Sequence, residues 1–119
     1  LCNKLGITMT AYSPIGAPGK PTFGPTTTTV RAPLEDEIVL ELAKKYGKSP
    51  AQILIRNIVQ RGVCAIPKST NEERVRQNFD IFDFELSPAD QKRLLEIEYR
   101  TRMFPFPFVR THRHYPFDE

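Results

Sequence analysis

Apolar residues recur along this chain in two rhythms, and the changes between them divide it into elements. Residues 5 to 13, LGITMTAYS, alternate and carry β-branched side chains, which predicts a strand running out at Pro14-Ile15-Gly16. The stretch APGKPTFGPTTTTVRAP that follows is rich in proline, glycine and threonine, has neither period, and reads as a long loop. From Leu34 the rhythm becomes helical: Ile38, Leu42 and Tyr46, with Val39 and Ala43 beside them, make one stripe, and Gly47 is placed to cap its end. Ser49-Pro50 then supplies an N-cap and a first-turn proline for a second helix, AQILIRNIVQR, which Gly62 ends. VCAIP is the next strand, a helix is predicted from about Asn71 to Phe79, and IFDFEL is a loop. Ser87-Pro88-Ala89-Asp90 repeats the cap-then-proline start, for a helix through about Glu98 with Leu94, Leu95 and Ile97 as candidate buried residues.

The order is strand, long loop, two helices, strand, helix, helix, tail. Strands alternating with helices point to parallel pairing and right-handed crossovers. Two parallel strands do not bury their own faces, because parallel sheets are almost always covered on both sides. The strands are therefore expected to belong to something larger: either this chain pairs with another, or it is the end of a longer barrel.

Composition narrows the classes. The 119 residues are 39% hydrophobic and 26% charged with a net charge of +3, the profile of a soluble globular chain. No apolar run approaches membrane-spanning length, and LCNKLGITMTAYS lacks the pattern of a secretory signal. Cys2 and Cys64 are expected as reduced thiols in a cytoplasmic protein. The positive charge is interleaved with acid, as in LEDEIVLELAKKYGK, so it does not point to nucleic acid. In the tail, Arg100, Arg102, Arg110 and Arg113 do alternate with aromatics, but the prolines between them make a poor stacking platform.

The candidate chemistry sits in IPKSTNEERVRQN, residues 66 to 78. Pro67 halts a strand and the Asn and Glu residues open a helix, so Lys68, Ser69 and Arg74 gather at a strand-to-helix junction. Free backbone N–H groups with cations beside them suit a phosphate.

Four pieces in order, AYSPIG, EDEIVLELAKKYGKSPAQILIRNIVQRG, VCAIPKSTNEERVRQN and FDFELSPAD, resemble the C-terminal part of the aldo-keto reductases, barrel enzymes that use NADP(H). The tail's Tyr115-Pro116-Phe117 is also similar to the family's end. The resemblance implies an α/β fold: the last two strands, with their helices, of a TIM (β/α)8 barrel. Residues 1–99 would be the barrel portion and 100–119 a substrate-loop tail. It further implies that Lys68, Ser69 and Arg74 hold the 2′-phosphate of NADPH, that Asn78 and Gln77 meet the adenine, and that Tyr12 stacks on the nicotinamide. Ser13 and Ile15 match neighbours of the pyrophosphate, and Phe104, Phe106 and Phe108 match the wall of a carbonyl-substrate pocket.

The sequence departs from the family at three positions. Gly19 stands where an acid often pairs with the lysine, Gln77 where a glutamate is frequent, and Ala17 where a serine is common. The family's catalytic Asp, Tyr, Lys and His come from the first half of the barrel, and none maps onto this chain. His112 and His114 have no counterpart among them and read as loop histidines, and no metal site is expected. The expectation is the C-terminal segment of an NADP(H)-dependent reductase of aldehydes and ketones, active when the missing N-terminal barrel half is present. The alternative is a truncated, non-catalytic fragment that binds cofactor or a partner.

Overall fold

The computed structural model describes residues 1–16, 18, 33–97 and 106–116. A short 3₁₀ turn, Asn3–Leu5, precedes β1 (Met9–Ala11). A second one, Pro33–Glu35, leads into α1 (Glu37–Tyr46). Then come α2 (Pro50–Gln60), β2 (Val63–Ala65), α3 (Glu72–Phe79), α4 (Pro88–Leu95) and a last 3₁₀ turn at Pro107–Val109. β1 and β2 pair in parallel, Met9 with Val63, Thr10 with Cys64 and Ala11 with Ala65. The strand–helices–strand order thus gives the pairing that it predicts.

The helix starts follow local chemistry. Ser49 forms a full capping box with Gln52: the Ser49 side chain accepts from the Gln52 N–H, and Gln52 Oε1 accepts from the Ser49 N–H. Ser87 caps α4 by accepting from the Asp90 N–H. Gly47, with φ of +64°, ends α1 as expected, since a left-handed residue there satisfies the last carbonyls.

Several boundaries differ from the sequence reading. The first strand is Met9–Ala11 rather than residues 5–13, because Gly6 closes the preceding turn in the left-handed region and the ladder has three ranks. The second strand ends at Ala65, short of Pro67, which has no N–H for a ladder. α1 begins at Glu37, not Leu34, because Asp36 is its cap and accepts from the Ile38 N–H. α4 stops at Leu95, short of Glu98, and Leu95 is 55% exposed rather than buried. The long loop falls almost wholly outside the described residues.

The core is formed by Val39, Leu42 and Ala43 of α1, Ile53 of α2, Leu86 and Leu94, with Tyr46, Phe84 and Ile97 packed around it. Burying each large aliphatic side chain stabilises by about 1.5–3 kcal/mol. Beside this core lies a buried carboxylate that periodicity does not reveal. Asp90 Oδ2 accepts from Lys45 Nζ at 2.7 Å, Tyr46 Oη at 2.6 Å and Ser87 Oγ at 2.7 Å. Tyr46 Oη in turn accepts from the Ser87 N–H at 3.0 Å. The residue is 3% exposed, so these three donors replace water and tie α4 to the end of α1.

The hydrogen bonds from Lys45, Tyr46 and Ser87 hold the Asp90 carboxyl well below the usual carboxylate range. A depressed folded-state pKa adds stability that is complete above the unfolded value, about 3.9, and is lost as pH falls through the folded value. Asp90→Ala should lower unfolding stability by about 2–3 kcal/mol in a denaturant titration near neutral pH. The deficit should shrink on acidification below about pH 4; an equal loss at every pH would contradict the assignment.

Candidate functional site

Because β1 and β2 are parallel and in register, both segments leave the sheet at the same edge. Ala11 and Ala65 form the last rank, and Tyr12 and Ile66 come next. β2 packs against α2, and on the open face of the sheet Thr10 and Cys64 are exposed side by side. Strand alternation carries Tyr12 and Ile66 onto that open side, where they are 69% and 56% exposed. The carboxyl end of parallel strands is where α/β proteins place ligands.

Two loops shape this edge. After Tyr12 the chain reverses at once: Ser13 has φ of +51°, Gly16 has φ of +79°, and the Gly16 N–H donates to Ser13 O at 2.9 Å. Ile15 is half-buried inside the turn. After Ile66 the chain runs through Lys68 and Ser69 into α3. Ser69 Oγ accepts from the Asn71 N–H at 3.1 Å and donates to Asn71 O at 3.3 Å. Asn71 then caps the helix, its Oδ1 accepting from the Arg74 N–H at 2.9 Å. Asn71, which the sequence shows only as a helix-start signal, therefore organises the whole junction.

The charges are distributed unevenly. Glu72 and Glu73, in the first turn of α3, are engaged by their own helix, Glu72 with Arg76 at 2.7 Å and Glu73 with the Gln77 amide at 3.1 Å. Lys68 and Arg74 are exposed, and among the described residues neither side chain has an acidic partner. The junction thus presents two cations, a hydroxyl and a helix start whose Arg74 N–H is already capped by Asn71. That donor set suits a doubly charged, multi-oxygen group, with Lys as a point charge and Arg as a planar fork. Asn78 is half-buried on the same helix, and Gln77 is half-buried against Glu73.

The remaining candidates are not drawn together. Phe104 lies outside the described residues; Phe106 is half-buried, Phe108 is 73% exposed, and their rings meet edge to face at 6.0 Å. His112 Nδ1 accepts from the His114 N–H at 3.2 Å. Among the described residues no three His, Cys, Asp or Glu side chains group as metal ligands, and no helix is long and apolar enough to cross a membrane.

Comparison with known proteins defines the class. The profile of the aldo/keto reductase family matches residues 1–98, and the chain belongs to that family of oxidoreductases. Aldo-keto reductase family 1 member A1-A of Danio rerio is 41% identical over 128 residues, covering 99% of this chain and 38% of that protein. Family 1 member D1 of Oryctolagus cuniculus is 39% identical over 118 residues, covering 99% of this chain and 36% of the relative. Among solved structures, the aldose reductase of Schistosoma japonicum superposes with a TM-score of 0.81 at 33% identity, covering 99% of this chain and 34% of that one. The chain therefore spans a little over a third of the length of the relatives it matches.

If Asn71 holds the junction as its contacts show, Asn71→Ala should cost α3 about 1 kcal/mol. Hydrogen exchange reads this directly: the Arg74 amide should lose protection while the amides of α1 keep theirs.

Proposed function

We propose that this chain is the C-terminal part of an NADP(H)-dependent aldo-keto reductase, contributing the seventh and eighth strands of a TIM barrel and one wall of its dinucleotide site. The observation that carries the reading is the pair of uncompensated cations, Lys68 and Arg74, at a strand-to-helix junction beside the end of a parallel partner strand. Phosphate sites in such barrels commonly form from the loops after the seventh and eighth strands. In this reading Lys68, Ser69 and Arg74 grip the 2′-phosphate. Ser69 turns its hydroxyl from Asn71 O to the phosphate, while Gln77 and Asn78 face the adenine.

Tyr12 offers its exposed ring as a flat wall for the nicotinamide, which supplies a hydride when bound. Ser13 and Ile15 border the pyrophosphate. Phe104, Phe106 and Phe108 close the pocket around an aldehyde or ketone, an apolar lining suited to a carbonyl. The protonating side chains belong to the part of the barrel that precedes these strands. That same part covers the open face bearing Thr10 and Cys64 and the outer edges of the two strands. No nucleic-acid or membrane partner enters this reading, and its setting is the cytoplasm.

Cofactor choice tests the assignment. In the complete barrel, Lys68→Ala and Arg74→Ala should each weaken NADPH by one to two powers of ten, about 1.4 kcal/mol per power, and leave NADH nearly unchanged. Equal losses for both dinucleotides in a titration would remove the 2′-phosphate from this site.

Residues 1–119 alone should not reduce carbonyls. A positioned acid contributes roughly 10²–10⁴ in rate, and none is assigned on this chain. Unpaired strand edges should also make it associate. Sizing the isolated chain and following NADPH absorbance with a reactive aldehyde checks both; turnover by a cooperatively folded monomer would reverse the conclusion.

A further inference from the structure

Serine rarely adopts the backbone found at residue 13. Its φ of +51° lies in the left-handed region, which costs an L-residue roughly 1–2 kcal/mol. The next residue is Pro14, and a proline pushes the residue before it toward extended conformations. Two steric preferences therefore oppose the observed geometry. Among the described residues Phe106 is the other non-glycine residue with positive φ, and it too precedes a proline. Only Ser13 adjoins the end of a paired strand.

The reversal decides where Tyr12 stands. With Ser13 extended, β1 would run on beside Ile66, and Tyr12 would be an ordinary strand residue. Instead the chain bends at Tyr12 and Ser13, and the Gly16 N–H closes the turn on Ser13 O at 2.9 Å. Tyr12 stands within the bend itself, one residue past the last ladder rank and 69% exposed, at the edge where the Lys68 junction begins. Strain of this kind persists where the surrounding structure over-determines it, and it concentrates at functional sites.

We propose that the left-handed backbone of Ser13 makes it a positioning residue, fixing the Tyr12 ring at the height from which it walls the nicotinamide. The proposal rests on the dinucleotide reading above and adds a role separate from any contact of the Ser13 hydroxyl. Misplacing a wall beside a reacting carbon lowers the rate of transfer far more than it lowers overall affinity, since Lys68 and Arg74 anchor the far end of the cofactor.

Three substitutions in the complete barrel separate backbone from hydroxyl. Ser13→Thr keeps the hydroxyl but adds a branched Cβ that resists positive φ. Ser13→Gly removes the hydroxyl and adopts this φ freely, and Ser13→Ala removes the hydroxyl while retaining the steric cost. Single-turnover hydride transfer to a reactive aldehyde should slow about tenfold in Ser13→Thr, with the NADPH Kd within about threefold of the parent. Ser13→Gly should weaken NADPH yet transfer hydride about fivefold faster than Ser13→Thr, and it should melt above Ser13→Ala. Transfer in Ser13→Gly as slow as in Ser13→Thr, or a melting point at or below that of Ser13→Ala, would overturn the proposal while NADPH binding by the parent stood. A parent that fails to bind NADPH overturns the dinucleotide reading itself, and the proposal with it.

Discussion

The geometry of the sheet edge depends on α2 being gripped at both ends. Near its start, Gln52 Nε2 donates to Asp80 O at 2.7 Å. At its finish, Gln60 accepts from the Leu86 N–H at 2.8 Å and donates to Leu86 O at 3.1 Å, as a neighbouring strand would. Two side chains on one helix thereby hold the connector between α3 and α4 at its two ends. Lys48 adds a clamp from outside the helix, reaching Asp83 at 2.6 Å and Asp80 at 3.1 Å while lying over the Phe84 ring. With the connector fixed, α3 cannot slide along α2, and the Lys68–Arg74 junction keeps its place beside β1. Two three-residue strands alone would not enforce that.

How much of this the sequence revealed follows from how local each cause is. The caps at Ser49 and Ser87 and the glycine after α1 are readable because each acts within one turn of its own residue, while Asn71 shows in sequence only as a helix start. The parallel pairing followed from connectivity. The strand lengths did not, since a ladder ends where its partner ends, and alternation in LGITMTAYS carries no information about the partner. Nor did the roles of Gln52, Gln60 and Asp90: each hydrogen-bonds residues more than twenty positions away, and on a helical wheel each reads as an ordinary polar position. The candidate site is visible for the same reason as the caps, with Lys68, Ser69 and Arg74 lying within a single short junction. Its other half, Tyr12 and Ser13, joined it through the resemblance to the family. The φ of Ser13 had no signal in sequence, as the proline after it argues for the opposite conformation.

The surface left open is chemically uneven. The sheet face carries Thr10 and Cys64 with Tyr12 and Ile66 above them, mixed in polarity as the lining of a site would be. The outer side of α3 is different: Val75, Phe79 and Phe82 are exposed together, with the two rings edge to face at 6.1 Å. Arg76, Asp80 and Asp83 rim that groove, and their charges are already met by Glu72 and Lys48. Among the described residues, no hydrogen-bond donor meets the buried Oδ1 of Asn57. Such an acceptor costs about 1–3 kcal/mol, tolerable only in a helix as well anchored as α2.

The parallel register also sets an order of assembly. Met9 meets Val63 only after the chain has passed through the whole of α1 and α2, so closing the ladder carries the entropy of a long loop. The α1–α2 hairpin needs a far shorter closure and is free to form first, whereas the Asp90 latch, like the ladder, closes a long loop. The sheet edge then assembles after the α1–α2 hairpin that its strands enclose in sequence. Fluctuations that part the two strands can dissolve the mouth between Tyr12 and Lys68 while every helix stays folded. In this chain the order of the sheet edge is thus a separate equilibrium from the stability of the helices, and any ligand bridging both strands would draw the two together.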